Sequence, residues 1–316
     1  MVTLHEDEIE LDLPLVRRLI DSSFPHLGNQ PLRPLDAGGS TNILFRLGDD
    51  LLVRLPRQRG GSANIDKEAQ WLSLVAAASP VAVPKIIAIG EPDLGFPERW
   101  VIMNWIAGKT PGLASADHNS STADDLAIDL ANFIKALGEL EVPADALTDP
   151  LLSHYRSESL VSIDADIRSY LDDCRRLHGL DLDLDRCQNV WEAAIALPDS
   201  AEPVTARWLH GDLLAENLLV QNGRLAAVVD FDCLSVGDPT VDLVIAWELL
   251  NPPSRELFRS LLEVDDVTWI RGRAWALAIA LMTFLYYWQT MPERCAARLA
   301  MARAVLAEAP PLLDNG

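Results

Sequence analysis

From residue 13 to 23 apolar positions recur with a helical period, Asp12 stands ahead of them as an N-cap, Pro14 falls in the first turn and Pro25 follows the end. This pattern predicts a short helix. Three apolar-rich segments come next, at 32–35, 42–47 and 51–55, and read as strands, the last two joined as a hairpin through Gly48-Asp49-Asp50. Residues 65–78 are periodic and rich in alanine and predict a helix that Pro80 ends, while 85–89 and 100–104 read as further strands. The first part is therefore expected to be a small antiparallel sheet of about five strands with one main helix. Beyond Gly108 the pattern turns helical, at 124–140, 164–178, 188–197 and almost throughout 240–307, with breaks near Pro252, Pro253 and Pro292. One hairpin, turning at Asn222-Gly223, is the only expected interruption. The fold class that follows is α+β, with a sheet-forming part at 1–105 and a mainly helical part at 106–316.

Charge narrows the function. The 316 residues carry 47 acidic against 26 basic side chains, a formal net charge of −21. Such a chain offers no basic surface to a nucleic acid and is repelled by anionic lipid. The imbalance is concentrated: 14 acids and 10 bases lie in residues 1–105, but 33 and 16 lie in 106–316. The opening segment lacks the positive and apolar regions of a secretory signal. An apolar run at 274–288 is shorter than the ~20 residues needed to span a bilayer and reads as a buried helix. The four cysteines, at 174, 187, 233 and 295, have neither CxxC spacing nor paired histidines. A cytoplasmic protein without a disulfide framework or zinc site is expected.

The chemistry is concentrated in WLHGDLLAENLLVQNGRLAAVVDFDCLSVGDPTVDL, residues 208–243. Pairing outward from the Asn222-Gly223 turn sets Asn217 opposite Val228 and brings Asp230 out beside it on the neighbouring strand. An amide oxygen and a carboxylate meeting at one point suit Mg2+, which takes oxygen ligands and shares its shell with phosphates. Asp212 stands five residues before Asn217, behind His210 and Gly211. That spacing is the one in which kinases place a proton-accepting Asp and a metal-holding Asn, and Asp230-Phe231 matches the second metal-binding position. Protein kinases have His-Arg-Asp and Asp-Phe-Gly where this chain has His-Gly-Asp and Asp-Phe-Asp, and no Ala-Pro-Glu signal follows Asp230.

HGDLLAEN, VVDFD and GDPTVDL, in that order, make the chain resemble the aminoglycoside phosphotransferase family, antibiotic kinases with a two-lobed, protein-kinase-like fold. The resemblance implies that Asp212 is the catalytic base, that Asn217 and Asp230 bind magnesium, and that His210, Asp238 and Asp242 brace the surrounding loops. It makes GGSTNILF the loop over the nucleotide, so that Gly38, Gly39, Ser40 and Asn42 are nucleotide contacts, with Met103, Asn104 and Trp105 at the end of the first part. Glycines in such a loop let backbone N–H groups approach phosphate. Arg54 stands where the family often has the lysine that holds the α- and β-phosphates, with Glu68 as its partner, and Arg57 and Arg59 are close enough to compete. Glu216 adds a negative charge where relatives carry other residues.

The expected activity is transfer of the γ-phosphoryl of ATP or GTP, with Mg2+, to a hydroxyl of a small molecule. An antibiotic acceptor, aminoglycoside, macrolide or nucleoside, is implied first and a metabolite such as choline or homoserine second. The acidic second part favours a cationic or neutral acceptor. Trp247, Glu248, Trp275, Tyr286, Tyr287 and Trp288 are candidate acceptor surface, and a monomer or homodimer is expected. A non-catalytic nucleotide-binding scaffold is the alternative from another class. Intact Asp212, Asn217 and Asp230 weigh against it.

Overall fold

Asp12 begins the first helix: its side chain accepts a hydrogen bond from the Leu15 N–H at 2.7 Å, satisfying one of the donors a helix start leaves open. In the computed structural model, which describes residues 7–35, 41–112, 120–197 and 205–308, this helix, α1, spans Leu13–Ser23. The chain divides into two units, one made of residues 1–108 with 227–232, the other of 109–226 with 233–316. The loop glycines Gly38 and Gly39, and Ser40, lie outside the described residues.

In the first unit α1 is followed by strands β1 (Leu32–Pro34), β2 (Asn42–Leu47) and β3 (Leu51–Pro56), helix α2 (Ser62–Ala78), and strands β4 (Ile86–Gly90) and β5 (Trp100–Asn104). The five strands form an antiparallel sheet in the order β1-β2-β3-β5-β4. The β2–β3 turn needs a left-handed residue and has Gly48, at φ 59°. Val16, Leu19 and Ile20 of α1, one apolar stripe, pack into a buried cluster with Phe45, Val53 and Trp100 of the sheet. Leu19→Ala should cost about 2–5 kcal/mol of stability by leaving a cavity there, readable as a lower urea midpoint at unchanged slope. Residues 227–232 join this unit through the Val228 N–H, which donates to the Ala82 carbonyl at 3.1 Å.

The second unit holds helices α3 (Ser120–Glu139), α4 (Asp164–Cys174) and α5 (Leu184–Ile195). Short strands β6 (Arg207–Leu209), β7 (Leu218–Gln221) and the start of β8 (Arg224–Val228) come next, then β9 (Ser235–Gly237). Helices α6 (Ile245–Leu249), α7 (Pro252–Leu262), α8 (Asp266–Tyr287) and α9 (Pro292–Glu308) close it. β7 and β8 pair across Asn222 and Gly223, both at positive φ (52° and 79°), as the turn chemistry requires. Pro252 and Pro292 begin helices, so these expected breaks are starts. A second pairing joins β6 to β9, Leu209 opposite Ser235, where sequence reading expected a single hairpin. Residues 272–281 of α8 are buried without interruption, which is why this stretch, Arg273 apart, is apolar all round. No helix among the described residues is long and apolar enough to cross a membrane.

Candidate functional site

In the first unit Arg54 projects from β3 and is 5 % exposed, and Glu68 on α2 is 1 % exposed. The guanidinium donates from both terminal nitrogens to the two Glu68 oxygens, with Nη1 to Oε1 at 2.9 Å. This bidentate fork is a geometry that a lysine cannot reproduce. Asp232 completes the group: its Oδ1 lies 3.3 Å from Arg54 Nη1, and its Oδ2 accepts from Asn42 Nδ2 at 2.7 Å and Thr41 Oγ1 at 3.0 Å. Lys67 Nζ donates to the Asp232 carbonyl at 2.5 Å. Burial opposes the Arg54 charge, but the carboxylates of Glu68 and Asp232 more than offset it and push its pKa above the ordinary value. Arg57, a competitor for the same role, pairs instead with Glu8 at 3.3 Å. Sequence reading gave Asp232 no role, although it is the last letter of the Asp-Phe-Asp run. Asp230, two residues earlier, holds φ at 63°, a conformation that costs a non-glycine residue roughly 1 kcal/mol or more.

In the second unit the Asp212 loop is shaped from three directions. The His210 and Gly211 N–H groups donate to Asp242 Oδ2 and Oδ1, at 2.7 and 2.8 Å, and the Asp212 N–H donates to His210 Nδ1 at 3.2 Å. Gly211 has φ 79°, and a Cβ there would stand 2.4 Å from the Cys233 carbonyl oxygen, so only glycine fits. The Ala215 N–H donates to Glu248 Oε2 at 2.7 Å. Asn217 Nδ2 donates to the Asp212 carbonyl at 2.8 Å and to its Oδ2 at 3.0 Å. The Asn217 amide oxygen therefore remains the free acceptor of that side chain among the described residues, a hard oxygen donor of the kind Mg2+ takes.

Arg156 meets the other side of Asp212. Its Nη1 donates to Asp212 Oδ1 and, at 2.9 Å, to the Gly211 carbonyl, while its Nε donates to Tyr155 Oη at 3.0 Å. Burial works to raise the Asp212 carboxyl, and Arg156 outweighs it, leaving the pKa below the ordinary value. Asp212 is thus an ionised acceptor at neutral pH. Burial holds Asp242 up at about 7, against the pull of its two N–H donors. Because this folded-state value is raised, the stability it contributes is full below the unfolded value of 3.8 and is lost as pH rises through 7. Wild-type stability should fall relative to Asp242→Asn between pH 4 and 7, measured by urea unfolding at each pH.

Two sequence expectations fare differently. Glu216 turns to α9, where Arg294 and Arg298 each lie 3.1 Å from its carboxylate, and Arg298 also pairs with the buried Glu248. Trp247 and Trp275 are 2 % and 1 % exposed, so they are core and not acceptor surface, and Glu248 is committed to the loop. Asp238 caps the turn that carries Asp242, accepting from the Thr240 N–H at 2.9 Å. Met103 is buried in β5, the Asn104 side-chain oxygen accepts from the Lys85 N–H at 2.6 Å, and the Trp105 ring lies 3.7 Å beneath the Arg46 guanidinium.

A small antiparallel sheet with its helix, a mainly helical second unit and an Asp-x-x-x-x-Asn loop define a kinase-fold α+β protein. The family model described as phosphotransferase enzyme family matches residues 31–275, and the chain belongs to that family. No curated protein matches it. Among solved structures it is similar to the GDP and kanamycin complex of APH(2")-IIia, with a TM-score of 0.68 and 20 % identity over 94 % of this chain and 98 % of that one. It is also similar to the ADP-bound aminoglycoside phosphotransferase APH(2'')-Ib (TM-score 0.62, 17 %, covering 94 % and 99 %). A third likeness is to the apoenzyme of macrolide 2'-phosphotransferase MphH from Brachybacterium faecium (0.60, 20 %, 95 % and 99 %).

Proposed function

We propose that the protein is a small-molecule kinase that moves the γ-phosphoryl of ATP or GTP to a hydroxyl of an antibiotic. The observation that carries this reading is the Asp212 carboxylate, ionised and fixed between Arg156 and Asn217 on a loop whose backbone is itself tied down by Asp242. Fixed in that way, Asp212 takes the hydroxyl proton as the oxygen attacks, and catalysis consists of positioning and charge stabilisation. Asn217 and Asp230 are the residues that would hold Mg2+, whose charge when bound neutralises the phosphate oxygens. Arg54, oriented by Glu68, would hold the α- and β-phosphates, with Gly38, Gly39, Ser40 and Asn42 as the loop residues that would contact them. Met103, Asn104 and Trp105 would contact the base. The relatives crystallised with GDP, ADP and kanamycin support both the donor and the acceptor class.

Nucleotide turnover coupled to an acceptor tests this. Release of ADP or GDP should rise when an antibiotic acceptor is added and should stop when EDTA removes the metal. Turnover indifferent to every acceptor would contradict the kinase reading, and turnover indifferent to EDTA would contradict the metal role.

A further inference from the structure

The net negative charge of residues 106–316 does not extend to the Asp212 loop. Three carboxylates there meet guanidinium groups: Asp212 meets Arg156, Glu216 meets Arg294 and Arg298, and Glu248 meets Arg298. Asp242 is occupied by two backbone N–H groups. The acids that make this part negative are placed elsewhere, as with Asp172 and Asp185, 72 % and 87 % exposed, two carboxylates that share the single Arg175 guanidinium. A polycation approaching Asp212 therefore meets a local charge near balance, with a guanidinium already on the carboxylate that would attract it.

The surface beside Arg156 is aromatic. Tyr155 is 37 % exposed and its Oη lies 3.8 Å from Met282 Sδ on α8, and Tyr286, one turn further along that helix, is 70 % exposed. The His154 ring stands 4.4 Å from that of Tyr155. Arg156 uses Nη1 and Nε as described, and its Nη2 makes no hydrogen bond among the described residues. That nitrogen is a donor open to an acceptor oxygen.

We propose that Arg156 and Tyr155 select the acceptor, admitting a hydroxylated molecule with an apolar or sugar face and at most one positive charge, and rejecting polycations. The proposal rests on the kinase reading and names the acceptor class for it. Tyr155 supplies the face against which such a molecule packs, and Arg156 keeps Asp212 in place while compensating its charge. A unit charge about 6 Å away, at an effective dielectric of ~20–80, changes affinity roughly three- to hundredfold, which is enough to discriminate.

Calorimetry with the whole protein, Mg2+ and a non-hydrolysable ATP analogue tests it, with erythromycin as the weakly charged probe and kanamycin as the polycation. Wild type should bind erythromycin at least tenfold more tightly than kanamycin. Arg156→Gln should tighten kanamycin about tenfold, Arg156→Lys should keep the wild-type order, and Tyr155→Ala should weaken erythromycin while leaving kanamycin unchanged. Equal binding of the two probes by wild type, no binding of either, or a kanamycin affinity unmoved by Arg156→Gln would overturn the proposal. Phosphate transfer, measured in parallel samples with ATP or GTP in place of the analogue, separates the two ideas. The expected binding order without transfer to either probe overturns the kinase reading alone, and efficient transfer to kanamycin overturns the selection alone.

Discussion

Asp212→Ala should lower the rate of phosphoryl transfer by at least about 10²–10⁴-fold, the range typical of a lost general base, while nucleotide affinity stays within about twofold. Ala removes the carboxylate proposed to accept the proton and also releases Arg156 and Asn217 Nδ2 from their partner. The group proposed to face the nucleotide in the other unit, Arg54 with Glu68, is untouched. Single-turnover kinetics with bound nucleotide measured separately distinguishes this from a general loss of structure. A variant that transfers at the wild-type rate would remove Asp212 from the mechanism.

Arg54→Ala should be the most damaging single change in the first unit. It leaves Glu68, 1 % exposed, without its bidentate partner, and removes the cation that Asp232 faces. Breaking such a buried pair costs about 3–5 kcal/mol, a large share of the stability of most domains. Glu68→Gln with Arg54→Met, which removes both charges at similar volume, should recover most of that stability but none of the nucleotide affinity. Thermal unfolding with and without nucleotide reads both effects. Arg54→Lys should fall between, since an ammonium keeps the charge but loses the fork.

The elements whose apolar period is long and whose ends carry their own chemistry were legible from sequence. Asp12 and Pro14 mark α1, and Asn222-Gly223 marks the β7–β8 turn, because cap and turn depend on neighbouring residues only. The same holds for the Arg54–Glu68 pair, which follows from a strand and the helix after it. Pairings that depend on distant chain were not legible. β6 and β9 are three residues each and meet across the whole Asp212–Asp230 segment, so neither carries a period. Arg156 sits in a short 3₁₀ turn with no motif around it and becomes important only by reaching Asp212, 56 residues away. Glu216 read only as an added negative charge because its partners Arg294 and Arg298 lie far along the chain on α9, and local spacing does not reveal such a pairing. Trp247 and Trp275 read as acceptor surface because helical spacing alone does not tell a buried face from an exposed one, and α8 is buried on all sides through its middle.

A net charge of −21 says that polyanions are poor partners, but it does not locate the charge. At the Asp212 loop arginines match the carboxylates, so whole-chain charge and site charge point to different acceptors.

The central claim, phosphoryl transfer to an antibiotic hydroxyl with Asp212 as base, is tested most directly by mass spectrometry. An antibiotic panel is incubated with Mg2+, either ATP or GTP, and wild-type protein or Asp212→Ala. A gain of one phosphate on at least one acceptor with wild type, and none with Asp212→Ala, is the predicted result. No phosphorylated product from any acceptor with wild type, or equal product from both proteins, would contradict it.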